Sequence, residues 1–284
     1  VSTYFPSGSS GPERQEAKFR FLDDMGPHLK SLGAQREFIV CSDVNIAHQQ
    51  ADFVVVSIFV NPLQFGANED FDKYPRTLQE DAEKLSAFDV DVLFAPGVDD
   101  VYPNGNEITQ HAGPVGEKFE GAVRPGHFDG MLTVVARLFD LVKPDFSIFG
   151  NKDAQQLFLI RRMVANSNHR WNAMQVIGAP IIREEDGLAM SSRNRYLSQD
   201  ERELAQNISR AMRAAEATQG DSAARLSAAE QVLATAPAVR LDYVALVDPA
   251  TFEPIEAGFV GRALLIIAAR VGNTRLIDNL SISI

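Results

Sequence analysis

A single cysteine, Cys41, occurs in the 284 residues, so no disulfide can form within the chain and an apolar core must hold the fold. No apolar run reaches the length of a membrane span or a signal h-region, which makes a cytoplasmic protein with no membrane partner the expectation. Positive charge is in deficit. Lys and Arg number 27 against 38 Asp and Glu, a formal net charge of -11 that disfavours nucleic acid as a partner. Internal repeats and long low-complexity segments are absent, and the chain starts at Val1 without an initiator Met, as a processed, trimmed or spliced start would leave it. What is present is 45% hydrophobic, enough for one large domain or two ordinary ones.

The chemistry concentrates in Asp186 to Tyr196, Asp-Gly-Leu-Ala-Met-Ser-Ser-Arg-Asn-Arg-Tyr. Arg193 and Arg195 offer bidentate donors to a phosphate, Ser191 and Ser192 add hydroxyl and backbone donors, and Met190 brings a mobile thioether. A Ser-rich loop of this kind is by default a cap for the helix that follows. The surrounding chain argues instead for a loop that closes over an anion.

From Asp52 strand and helix patterns alternate. Phe53 to Val60 is an apolar run suited to a strand buried on both faces of a parallel sheet. Arg76 to Phe88 reads as an amphipathic helix, Val90 to Ala95 as a strand, and Phe128 to Val142 as a helix with Met131, Leu132, Val135, Leu138 and Leu141 on its apolar face. Phe146 to Phe149 (strand), Ala154 to Ala165 (helix) and Met174 to Gly178 (strand) follow. Such alternation predicts a doubly wound parallel sheet with ligands outside the carboxyl ends of its strands.

Two polar clusters fall on that rim: Asn61-Pro62-Leu63-Gln64-Phe65-Gly66 after the first buried strand and Gly150-Asn151-Lys152-Asp153 after a later one. At Arg124-Pro125-Gly126-His127 an irregular loop enters a helix, where backbone donors and a cation can meet an anion. Beyond Tyr196, Ser198 and Glu201 form a capping box, and Leu204, Ile208 and Met212 line a helix. Ala-rich helical sequence runs on to about Ala236. Leu241 to Val247, Ala263 to Ala269 and Leu276 to Ile284 read as strands, the last two joined by a turn at Gly272-Asn273. The expected domains are 1–50, 51–183 and 184–284.

Residues 1–50 have a different texture. Val1 to Pro12 is rich in Ser, Gly and Pro, a helical pattern carries Phe19 and Leu22, and Glu37 to Cys41 reads as a short strand. The Tyr-x-Pro-Ser-Gly-Ser-Ser-Gly stretch and Ser42-Asp43-Val44-Asn45-Ile46-Ala47-His48 resemble a fragment of the exodeoxyribonuclease III family of metal-dependent nucleases. Ser42 stands where that family has Gly. The resemblance implies active-site roles for Asp43 and Asn45, but the family's metal-binding Glu and late Asp-His pair have no counterpart here.

Over about 52–284 the chain resembles the pantoate–β-alanine ligase family. The resemblance rests on Val-Ser-Ile-Phe-Val-Asn-Pro-Leu-Gln-Phe-Gly, Tyr-Pro-Arg-Thr, Glu-Gly-x-x-Arg-Pro-Gly-His-Phe, Gly-x-Lys-Asp-x-Gln-Gln-Leu and Asp-Gly-Leu-Ala-Met-Ser-Ser-Arg-Asn-Arg-Tyr-Leu, in that order. It implies an α/β fold: a Rossmann-like nucleotidyltransferase domain with a smaller α+β C-terminal domain over the site, in a homodimer. It implies pantoate, β-alanine and ATP as substrates, with Mg²⁺. Asn61, Gln64 and Gln156 would hold pantoate, while Arg124 and His127 would belong to the substrate site in general. Gly150, Lys152, Asp153, Met190, Ser191, Ser192 and Arg193 would hold ATP, with Asp153 beside the metal. Lys152, Ser192 and Arg193 would be the catalytic set.

The chain departs from the family's pattern in three places. The Thr-Met-Gly loop and His-x-Gly-His motif expected after the first strand occur nowhere in it. Phosphate donors of that kind are each worth about 3 kcal/mol in a transition state. His48 is no substitute on spacing. The gap from Ser42 to Phe53 is hardly enough for a parallel crossover, which leaves the first fifty residues without an expected fold. Asn151 and Ala154 replace a Glu and an aromatic residue of the pattern beside Lys152.

Overall fold

The computed structural model describes residues 38–41, 53–64, 78–88, 90–171 and 174–284. Five parallel strands form one sheet: β1 (Phe38–Cys41), β2 (Val54–Ser57), β3 (Val92–Phe94), β4 (Phe146–Gly150) and β5 (Gln175–Ala179). Their order is β3-β2-β1-β4-β5. The order reverses between β1 and β4, and in such sheets the carboxyl ends of the strands at the reversal carry the ligand. Helices α1 (Leu78–Leu85), α2 (Val98–Val101), α3 (Glu120–Val123), α4 (His127–Val142) and α5 (Ala154–Ala165) lie between the strands in sequence.

The physical reasons are local. Val54 to Ser57 are buried at every position, as are all five residues of β4, so these strands lack the polar alternation of a solvent-facing edge. α4 buries Phe128, Met131, Leu132, Val135 and Leu138, and Phe139 packs edge-on against Phe149 and Trp171, with centroids 6.3 and 5.6 Å away. Phe139 is fully buried, and its truncation to Ala would cost about 3–5 kcal/mol. Two expectations fail here. Leu141 is 43% exposed, at the end of the helix where the apolar face has rotated outward. β2 stops at Ser57; Ile58 N still donates to Phe94 O of β3 at 2.9 Å, and 59–60 lie outside the strand.

The strand read at Glu37 to Cys41 is present as β1, and the short connection after it does not keep it out of the sheet. β1 lies inside the sheet, parallel to β2 with Phe38 opposite Val54, and parallel to β4 with Phe38 opposite Phe146. The residues between Cys41 and Val54 therefore span a parallel crossover with about a dozen residues, the lower bound for such a connection. The remainder of the nuclease-like segment, Asp43, Asn45 and His48 included, lies outside the described residues.

The described residues divide into two compact units, the first running to Pro180 except for Lys152–Ala154, the second made of Lys152–Ala154 and Ile181–Ile284. In the second, β6 (Val239–Val247), β7 (Arg262–Val271) and β8 (Thr274–Ser283) form an antiparallel sheet in sequence order. Two helices, α6 (Gln199–Ala217) and α7 (Ser222–Ala234), supply Ile208, Met212 and Leu233 to a core shared with Leu265, Ile267 and Val271. The expected capping box is present: Glu201 N donates to Ser198 Oγ at 3.2 Å and Ser198 N to Glu201 Oε2 at 2.9 Å. The Ala-rich helix is not continuous to Ala236. Gly220, at φ +125°, turns the chain after α6, and Asp221 restarts it as the cap of α7, accepting from Ala224 N at 2.9 Å.

Candidate active site

In the first unit, the segment leaving β2 delivers Asn61 into the protein, 1% exposed, just before a 3-10 turn at Pro62–Gln64. A primary amide has two acceptor positions and two donor hydrogens. Asn61 Oδ1 accepts from Tyr102 OH at 2.7 Å and Leu63 N at 3.2 Å, while Nδ2 donates to Gly130 O at 3.1 Å and Gln64 Oε1 at 3.4 Å. Every polar capacity of the Asn61 side chain is thus engaged within the protein. The 3-10 turn sits so close to α4 that a Cβ on Gly130 would run into the Leu63 carbonyl. Glycine is required there.

Arg124 and His127 meet the same turn. His127 Nδ1 donates to Gln64 O at 3.0 Å, Arg124 Nη1 donates to His127 Nε2 at 3.1 Å, and Arg124 Nη2 reaches Gln64 O at 3.4 Å. The tautomer with the imidazole proton on Nδ1 satisfies both contacts of the ring. Gln64 is therefore held at its carbonyl by Arg124 and His127 and at its side chain by Asn61, and its Nε2 points away from that tether. The structure brings Asn61, Gln64, Arg124 and His127 together.

Gln155 and Gln156 behave differently. Gln155 is buried, donating from Nε2 to Val115 O at 2.8 Å and Lys118 O at 2.9 Å and accepting from Glu120 N at 3.1 Å. Those bonds fix the loop that leads to Arg124. Gln156, on the neighbouring position of α5, is half-buried, and no hydrogen bond of its side chain to other described residues is seen. Gly150 is buried at the carboxyl end of β4, paired with Ala179 of β5.

In the second unit, Ile182 to Met190 form a small hairpin. Met190 N donates to Ile182 O at 2.9 Å, Glu184 N to Leu188 O at 2.8 Å, and Gly187 turns the tip with φ +89°. Ser191 follows in extended backbone and caps a 3-10 turn at Ser192–Tyr196, its Oγ accepting from Arg193 N at 3.2 Å. Asn194, buried within that turn, donates to Ala189 O at 3.1 Å and to Glu184 Oε1. Arg202 of α6 pairs with Glu184 and with Asp186, the latter at 2.7 Å. Burial works against the Arg202 charge, but hydrogen bonds and attraction from Glu184 and Asp186 outweigh it and raise its pKa above the ordinary value. The acids flanking the serines are in this way neutralised.

A recess in this unit is lined by Lys152, Ser191, Arg193, Asn194, Arg275 and Asp278, with Leu188, Ile208 and neighbours as its apolar wall. Lys152 is only 7% exposed, and its carbonyl accepts from Asn279 of β8 at 2.7 Å. Its ammonium lies 3.9 Å from Asp153 Oδ2, beyond hydrogen-bond range. A buried cation whose ion pair among the described residues is this loose is costly unless an anion completes the site. Asp278 is taken up by Arg183, whose two terminal nitrogens reach its carboxylate at 2.7 and 2.9 Å, and Arg275 by Asp242 at 2.6 Å. Met190 is buried in the hairpin and Arg195 stacks over the Tyr196 ring at 4.9 Å; neither they nor Ser192 line the recess.

A profile of the pantoate-beta-alanine ligase family matches residues 41–281. The chain belongs to this family. A pantothenate synthetase of Acidothermus cellulolyticus is 54% identical over 243 residues, 84% of this chain and 79% of the relative. The crystal structure of pantothenate synthetase from Thermus thermophilus superposes with a TM-score of 0.77 at 43% identity, covering 89% of this chain and 96% of that one. The pantoate-beta-alanine ligase of Francisella tularensis, solved with beta-gamma ATP and beta-alanine, has a TM-score of 0.66 at 31% identity and covers 92% and 94% of the two chains. The fold is that of a nucleotidyltransferase-type Rossmann domain with a small C-terminal sheet domain, as the sequence resemblance implied.

Sequence reasoning missed Tyr102, Gln155, Arg202 and Asn279, which hold the site, and Asn194, Arg275 and Asp278, which line the recess. Asn194 lay within the motif and Gln155 shares a helical face with Leu159, so both carried a local signal. The others are distant in sequence from what they hold.

Proposed function

We propose that this chain condenses pantoate with β-alanine in an ATP-driven reaction through a pantoyl adenylate. The pantoate carboxylate attacks the α-phosphate of ATP and pyrophosphate leaves; the β-alanine amine then attacks the activated carbonyl and AMP leaves. The recess that gathers Lys152, Ser191 and Arg193 is the observation that carries the reading. Its cations suit the pyrophosphate charge that grows at the transition state, where positioning and electrostatics do most of the catalysis. In this reading Met190 and Ser192 flank Ser191 in the loop that holds the phosphates, and Gly150 precedes Lys152 in the chain at the end of β4. In the first unit the amides of Gln64 and Gln156 would bind pantoate, with Asn61, Arg124 and His127 holding Gln64.

Mg²⁺ would enter with the nucleotide. Among the described residues no three His, Cys, Asp or Glu side chains gather to hold a metal alone, so most of its oxygens would come from phosphate and water. Asp153 fits as the protein's share, because its Oδ2 is buried with no hydrogen-bond partner among the described residues. A homodimer in the cytoplasm completes the proposal; no helix among the described residues is long and apolar enough to cross a membrane.

The test is pantoate-dependent exchange of labelled pyrophosphate into ATP, which reports adenylate formation without β-alanine. Exchange well above a Lys152→Ala control supports a working ligase. The absent His-x-Gly-His motif favours a second reading, a protein that binds pantoate and nucleotide without joining them. Pantoate binding with no exchange would select it. The resemblance of residues 1–50 to exodeoxyribonuclease III predicts, as a remote third reading, cleavage of abasic-site DNA, which a metal-supplemented nicking assay decides.

A further inference from the structure

We propose that Tyr102 is a positioning residue for the pantoate site, acting through Asn61 to fix the side chain of Gln64; the inference rests on the pantoate reading above. Tyr102 stands at the C-terminal cap of α2, distant in sequence from Asn61, and is buried. Two contacts place its ring independently of the hydroxyl. Arg137 of α4 donates to the preceding carbonyl, Val101 O, at 2.8 Å, and the ring meets Phe59 edge-on with centroids 6.1 Å apart. The hydroxyl is therefore aimed at Asn61 by the scaffold.

Leu63 N can only donate and Gly130 O can only accept, so these two set which way round the Asn61 amide lies. Tyr102 OH must then be a donor, and its 2.7 Å bond is the shortest of the four. It sets where the amide sits. That matters because the remaining bond, Asn61 Nδ2 to Gln64 Oε1, is already 3.4 Å long and tolerates little drift before it ceases to be a hydrogen bond. With Oε1 tethered, Gln64 presents Nε2 as a donor to a substrate oxygen. Without the tether its side chain samples several rotamers, and the ligand must bear the cost of ordering it.

A purely structural tyrosine would behave otherwise. Its loss would lower the melting temperature and leave pantoate affinity alone. The test is calorimetric titration of pantoate into the full chain, for wild type, Tyr102→Phe, Gln64→Ala and the double variant, with a thermal melt of each. Phenylalanine keeps the ring contacts and removes only the donor.

Tyr102→Phe is expected to weaken pantoate binding about five- to tenfold, on the order of one hydrogen bond. The double variant is expected to bind no more weakly than Gln64→Ala alone, because the two changes break one chain of contacts. Wild-type affinity in Tyr102→Phe beside a weakened Gln64→Ala, or losses that simply add, would overturn the inference while leaving the pantoate reading intact. Wild-type affinity in Gln64→Ala would overturn both.

Discussion

The two units meet the demands of ligand binding in opposite ways. Around Asn61 the first unit uses neutral amides, a phenol and backbone carbonyls, and satisfies Asn61 completely before any ligand arrives. Around Lys152 the second uses full charges and leaves one of them, a buried ammonium, in a loose 3.9 Å ion pair with Asp153 among the described residues. Neutral partners lose little when matched internally, so the first site can be rigid in advance. In the proposed reaction, a cation that takes phosphate must be kept from a close internal partner, or the phosphate would have to displace it. The surrounding acids are accordingly given other cations: Glu184 and Asp186 take Arg202, and Asp278 takes Arg183.

The strongest way to break this contrast is Lys152→Ala. Pyrophosphate exchange should fall about 10²–10³-fold, the usual effect of removing one donor to a transition-state oxyanion. Exchange close to wild type would remove Lys152 from the reaction. Asp278→Ala strands the Arg183 guanidinium at a largely buried contact and should lower unfolding free energy by about 2–3 kcal/mol, less than a wholly buried pair because Arg183 is partly exposed. Urea denaturation measures this, and an unchanged midpoint would show that the pair adds nothing.

Smaller effects sharpen the neutral side. Gln156→Ala should weaken pantoate binding about tenfold by calorimetry and leave the melting temperature unmoved, since its amide holds nothing else among the described residues. Gln155→Ala should show the reverse weighting, because its amide bonds three backbone groups of the loop before Arg124. A Gln155 variant that melts like wild type would contradict that division. Smallest is Ser198→Ala, which removes the cap of α6 and should cost about 1 kcal/mol without touching exchange activity.

Much of this was legible in the residues. α5 begins and ends where its pattern predicts, α4 was found from a long, strongly periodic run, and β4 from a short, mostly apolar one. The capping box at Ser198 was readable because its partners are three residues apart. What failed was non-local. The adjacent glutamines look alike in sequence, and only the loop carbonyls of Val115 and Lys118 distinguish Gln155 from Gln156. The pairing of Arg183 with Asp278 spans 95 positions, and Tyr102 with Asn61 spans 41. The place of β1 in the sheet was not foreseen because strand pairing uses backbone groups that every sequence has. The crossover rule is a lower bound, and 42–53 meets it.

The bond from Asn279 to the Lys152 carbonyl spans 127 positions. On the ribosome, the sheet strand that precedes this lysine is made long before the strand that steadies it. A nascent chain that has not reached residue 279 carries a lysine whose backbone lacks that brace, so the recess around Lys152 is completed late in synthesis. Timing thereby becomes part of the design: the buried Lys152 gains this support only after residue 279 has been translated.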